Sequence, residues 1–93
     1  MTFTIDVTDE DIRNGKKTDC YNCPIALAIK RAFDGSGYTL SAVSSYQIGF
    51  YISKGLFNNA PLEPRVTNFI RGFDTDGFMG NKISQPFSFE LEV

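Results

Sequence analysis

The chain has 93 residues, 42% of them hydrophobic and 22% charged, which is enough apolar side chain for one core, so a single domain over residues 1–93 is expected. Eleven acidic against nine basic residues give a net charge of −2 with no histidine, which removes any electrostatic ground for expecting nucleic acid or an anionic membrane as partner. The first residues lack the basic region and long apolar core of a signal peptide, and no apolar run approaches the roughly 20 residues that span a bilayer, so a cytoplasmic setting is expected.

Phe3, Ile5 and Val7 alternate with Thr2, Thr4 and Asp6, the period of a strand with one face buried. Thr8 then offers a cap, Asp9, Glu10 and Asp11 suit the positive end of a helix, and Gly15 stops it after a turn or two. Lys16 to Asp19 form an exposed loop leading to Cys20 and Cys23. Cys23 falls where an N-cap belongs and Pro24 at the first helical position, which predicts a helix from about Pro24 to Phe33. Its apolar face is Ile25, Ala28, Ile29, Ala32 and Phe33, and Asp34-Gly35-Ser36-Gly37 ends it.

From Tyr38 to Ile52 the even positions Tyr38, Leu40, Ala42, Tyr46, Ile48, Phe50 and Ile52 are mostly large and apolar, which predicts two strands turning near Ser44-Ser45. Lys54 to Leu62, with Gly55, Asn58, Asn59 and Pro61, reads as an irregular connection. Pro64 opens another helix whose stripe is Leu62, Val66, Phe69, Ile70 and Phe73. After Asp74-Thr75-Asp76-Gly77 a loop runs through Gly80 and Pro86 to a final alternating strand, Phe87 to Val93. Strands with one apolar face and helices with one apolar stripe predict an α+β domain, a small mainly antiparallel sheet with helices on one face, in the order β-α-α-β-β-α-β. The two terminal strands are candidates for pairing with each other or across a homo-oligomer.

Cys20 and Cys23 make a Cys-x-x-Cys at a helix start, the arrangement that lowers a thiol pKa in disulfide oxidoreductases. No early βαβ pattern accompanies it, Tyr21-Asn22 fills the intervening pair, and Asp19 opposes thiolate formation. The pair is also half of a tetrahedral zinc site, which Asp19 or a second subunit would have to complete. The reading preferred here is two small residues that shape a turn. Asp74, Asp76 and Gly77 fail the spacing of a calcium loop, because Met79 and Gln85 stand where glycine and glutamate are needed. Gly35-Ser36-Gly37 is too short for a phosphate loop.

Most phenylalanines fall on inward faces. Tyr21, Tyr51, Phe57 and Phe78 do not, and with Arg13, Lys16, Lys17 and Lys54 they are the candidate binding residues. With no histidine, no acid and base pair on adjoining elements and no nucleophile elbow, the chain is not expected to be an enzyme or to carry a cofactor.

The stretch from Val7 to Phe33, with Gly15, Asp19, Cys20, Cys23 and Pro-Ile-Ala-Leu-Ala-Ile, resembles a group of small uncharacterised proteins encoded by bacteriophages and their bacterial hosts. Phe69-Ile70, Phe73-Asp74 and Pro86-Phe87-Ser88-Phe89-Glu90-Leu91 are similar to that group's C-terminal end. Gly35 to Asn59 and Gly77 to Ser84 have no counterpart in it. The resemblance implies a phage or prophage context in the host cytoplasm and supplies no catalytic residue. The function expected is that of a noncatalytic accessory protein that binds and modulates a host protein, a defence system among the candidates. The alternatives are a small-molecule module that takes a nucleotide signal, and a thiol redox or zinc protein using Cys20 and Cys23.

Overall fold

The computed structural model describes residues 1–16, 18–53, 55–74 and 86–93, with Phe73 and Asp74 described by their backbone alone. In chain order the elements are β1 (Thr2–Val7), α1 (Asp9–Asn14), α2 (Pro24–Phe33), β2 (Tyr38–Val43), β3 (Gln47–Ile52), β4 (Leu56–Pro61), α3 (Pro64–Asp74) and β5 (Phe87–Glu92). The domain is α+β, with antiparallel pairing throughout and helices packed against the strands. Two features differ from the expected order. The strands divide into a β1–β5 ribbon and a β2–β3–β4 meander, and Leu56–Pro61 is a strand where an irregular connection was expected. Among the described residues no helix is long and apolar enough to cross a membrane.

Local chemistry accounts for the helix boundaries. At the start of α1 the Thr8 hydroxyl accepts from the Asp11 amide at 3.1 Å while the Asp11 carboxylate accepts from the Thr8 amide at 2.9 Å, a reciprocal capping box. Gly15 ends α1 with an ordinary φ of −70°. Its need for glycine is steric, since a Cβ there would lie 2.5 Å from Cδ of Pro24, the first residue of α2. The N-cap of α2 is Cys23, whose Sγ accepts from the Ala26 amide at 3.4 Å. Gly35 and Gly37, at φ of 75° and 89°, take the left-handed conformations that let the chain reverse from α2 into β2.

The core draws on both sheets. Ile5 and Val7 of β1, Phe89 and Leu91 of β5, Leu40, Ile48 and Phe50 of the meander, and Val66, Phe69 and Ile70 of α3 close around Ile25, Ala28, Ile29 and Phe33 of α2. Helix α2 packs on β1 and β2 together and so joins the two sheets. Phe3, Phe33, Tyr38 and Phe50 form a chain of ring contacts with centroids 5.0 to 6.3 Å apart across that junction. The even-position pattern fails at Ala42. A bulge between Leu40 and Ala42 shifts the register, so Val43 points inward and Ala42 is only half-buried. Tyr46, expected on the inward face, belongs to the turn and is exposed, its hydroxyl accepting from Arg71.

Side chains cover the outer edges of the ribbon. Because Met1 and Val93 exchange backbone bonds of 2.9 and 2.8 Å, the even-numbered peptide groups of β1 and β5 face outward. Arg31 donates to the Asp6 carbonyl at 2.7 Å, Arg65 to the Ser88 carbonyl at 2.7 Å, and Glu63 accepts from the Glu90 amide at 3.4 Å. Arg31 also grips both oxygens of the buried Asp11 at 2.8 Å, which ties α1, α2 and β1 together.

Candidate functional site

The meander's outer face carries the first candidate surface. Register puts Tyr51 opposite Phe57, Gly49 opposite Asn59 and Gln47 opposite Pro61, all on the side away from α2. The Tyr51 and Phe57 rings meet edge to face with centroids 5.2 Å apart. Gly49 makes room for them, since a Cβ there would lie 2.9 Å from the tip of the Phe57 ring. On the opposite side of the strand Leu56 faces inward by register yet is 69% exposed, beside Phe57 at 51% and Tyr51 at 40%. Lys54 is the sole charged residue between Tyr38 and Leu62, and the paired outer positions Gln47, Gly49, Tyr51, Phe57, Asn59 and Pro61 include none.

The rim of β4 is backbone. The bond from the Leu62 amide to the Tyr46 carbonyl at 2.8 Å sets the alternation, so Leu56, Asn58 and Ala60 bond toward β3 while Phe57, Asn59 and Pro61 turn their peptide groups outward. Residues 56 to 59 are exposed. Pro61 offers no N–H, which limits the outward donors to Phe57 and Asn59.

The cysteine loop forms a second, separate site. The Asp19 carboxylate accepts from the Tyr21 and Asn22 amides, both at 2.9 Å, and from the Asn22 side chain at 3.3 Å. The Tyr21 amide, the Asn22 side chain and amide, and the charge of Lys16 hold its carboxyl below the usual value of 3.8 against a small opposing effect of burial. The Cys20 carbonyl accepts from the Val43 amide at 2.7 Å and pins the loop to β2. Lys30 of α2 sets its ammonium 3.9 Å from the Tyr21 ring centroid and 3.4 Å from Asn22 Oδ1.

Neither cysteine is in a disulfide; Cys20 is exposed, and Cys23 is buried under the start of α2. Both border a cavity of 290 Å³ with Asp19, Val43, Ser44 and Ile70. Among the described residues no group of three or more histidine, cysteine, aspartate or glutamate side chains is arranged to hold a metal ion.

The candidate residues therefore divide. Tyr51 and Phe57 come together on the meander, whereas Tyr21 belongs to the cysteine loop, Arg13 to the last turn of α1 and Lys16 to the segment beside Asp19. Lys17, Lys54, Phe78 and the Thr75–Gly77 turn lie outside the described residues, as does the Phe73 side chain. Sequence reasoning missed Leu56, Asn22 and Lys30. Lys30 reads as the polar side of an amphipathic helix, and Leu56 sits in a run rich in turn formers.

Fold and sites together define a small α+β domain with a charge-free aromatic sheet face and a separate loop-and-helix cleft. No family model, curated protein or solved structure matches the chain.

Proposed function

We propose that this protein is a noncatalytic accessory module that binds a host protein in the bacterial cytoplasm, taking an extended segment of that partner along the rim of β4. The observation that carries the reading is the uncharged aromatic face beside exposed strand residues. Interface centres are depleted of charge and anchored by aromatic side chains, and an exposed strand edge is the usual template for strand addition. Tyr51 and Phe57 are the anchors, and the outward peptide groups of Phe57 and Asn59 supply the register. The likeness of the Val7–Phe33 stretch to small phage-encoded proteins supports a host-directed role.

A photo-crosslinking residue replacing Leu56 tests the reading against one replacing Thr4 on the ribbon. The expected product is a host protein joined from position 56 and not from position 4. With that protein purified, Phe57→Asp weakens binding by at least about thirtyfold, the effect of losing a central anchor. The Phe57 and Asn59 amides become protected from hydrogen exchange in the complex. A second copy of the chain as the only product, or binding untouched by Phe57→Asp, overturns the proposal.

A further inference from the structure

The Asp19–Cys23 loop holds a lysine of α2 by contacts that do not use its thiols. Asn22, fixed by two bonds to Asp19, turns Oδ1 toward Lys30, and the Tyr21 ring lies under the same ammonium. The Asn22 backbone bonds are its own amide to Asp19 and its carbonyl to the Lys16 amide, so its position is set from both sides. Among the described residues no carboxylate lies within ion-pair distance of Lys30, so its charge is held in place and not neutralised. It stands at the wall of a cleft of 490 Å³, within the range of about 300–1,000 Å³ typical of small-molecule sites.

The cleft is lined by one lysine and one aspartate, both contributed by α2 and its C-cap. Lysine side chains on a helix lean toward its N-terminus, which carries the Lys30 ammonium to the Tyr21 ring. Asp34, the C-cap of α2, also lines the cleft; four residues along a helix amount to about 6 Å of rise, and the lean of Lys30 lengthens its separation from Asp34. Tyr38, Thr39 and Ser53 line the same cleft. A lining that combines one lysine, one aspartate and tyrosine rings suits a flat ligand with one anionic group and N–H donors elsewhere on it. It disfavours polyanions, which would meet Asp34.

We infer that this cleft binds a flat-ringed ligand whose anionic group sits on Lys30 and whose N–H edge sits on Asp34. The chemistry is shared by purine nucleoside monophosphates and by amino-substituted aromatic carboxylates. The site does not involve Tyr51 or Phe57 and stands or falls independently of the host-protein reading.

The test is a backbone-amide NMR titration of the intact chain with guanosine 5′-monophosphate and, separately, 4-aminobenzoate, with uncharged guanosine as control. The expected result is saturable shifts at Tyr21, Lys30, Tyr38 and Thr39 with at least one of the two anions, and the one that binds identifies the source. Lys30→Met and Asp34→Asn each weaken that binding by at least about tenfold, Lys30→Arg restores most of it, and Phe57→Asp leaves it unchanged. Lys30 and Asp34 are not core residues, so the variants stay folded, with melting temperatures within a few degrees of wild type. Failure of both anions to bind at millimolar concentration, guanosine binding as tightly as its monophosphate, or Lys30→Met binding like wild type overturns the inference.

Discussion

Replacing Asp11 by asparagine isolates the contact that ties α1 to α2 and β1. Asp11 is 4% exposed, and it accepts two guanidinium bonds of 2.8 Å from Arg31 and the Thr8 amide at 2.9 Å. Asparagine has nearly the same shape but one acceptor oxygen and no charge, so in either orientation its NH2 group must face an Arg31 donor, and in one of them the Thr8 amide as well. Buried bonds to a charged group contribute roughly 1.5–3 kcal/mol each. Arg31 is 52% exposed and regains water when released, which discounts the sum to about 2–3 kcal/mol. Against a total of about 5–15 kcal/mol that is a large fraction, equivalent to a fall of roughly 10–20 °C in Tm.

The pH dependence separates charge from packing. Burial pushes the Asp11 carboxyl up, but the Arg31 bonds, the Thr8 amide and the Arg31 charge outweigh it and hold the group below its ordinary 3.8. Between that lowered value and 3.8 the unfolded chain binds more protons than the folded one, so stability from this group rises with pH. It is fully present above the unfolded value and is lost as pH falls through the folded value. Urea unfolding followed by far-ultraviolet circular dichroism should therefore show wild type and Asp11→Asn well separated at neutral pH and converging well below about pH 4. A difference under about 0.5 kcal/mol at neutral pH, or one that stays constant down to acid, would refute the reasoning.

Two further outcomes test the junction between α1 and the cysteine loop. Gly15→Ala is compatible with the backbone at φ −70° but drives Cβ into Pro24, so a loss of about 1–3 kcal/mol is expected in thermal unfolding. A variant as stable as wild type would mean that the two helices are not pinned there. Iodoacetamide applied to the native protein should alkylate exposed Cys20 first and reach Cys23 only on unfolding, as read by mass spectrometry. Equal rates at the two cysteines would contradict the burial of Cys23.

The fold was legible where one pattern ruled a segment. Phe3-Ile5-Val7 and Phe87-Phe89-Leu91 alternate because the ribbon has one covered face, and α2 is announced by Cys23-Pro24 and its apolar stripe. Strand β4 was hidden because it is an edge strand exposed on both faces: of Leu56-Phe57-Asn58-Asn59-Ala60-Pro61 only Ala60 is buried. Two asparagines and a proline then read as turn chemistry. The bulge at Ser41 escaped notice because one extra residue leaves no compositional mark while it flips Ala42 and Val43. Of the candidate surfaces, Tyr51 and Phe57 were visible as aromatics that fit no inward face. The Asp19–Asn22–Lys30 relay was not visible, since its members are ordinary loop and helix-surface residues until the turn folds them together.

The pairing of β1 with β5 also dictates the order in which the molecule can assemble. Asp6 and Ser88 meet across 82 residues, whereas β2 and β3 are joined by the three residues Ser44, Ser45 and Tyr46. Closing the longer loop costs about 3 kcal/mol more in chain entropy, so the meander zips first and waits for the ribbon. On the ribosome β1 emerges before β5 and lacks its pairing strand until β5 has been synthesised. Through that interval α2, the element that packs on both sheets, and the Tyr38 ring of β2 are the partners that can shelter β1's apolar face.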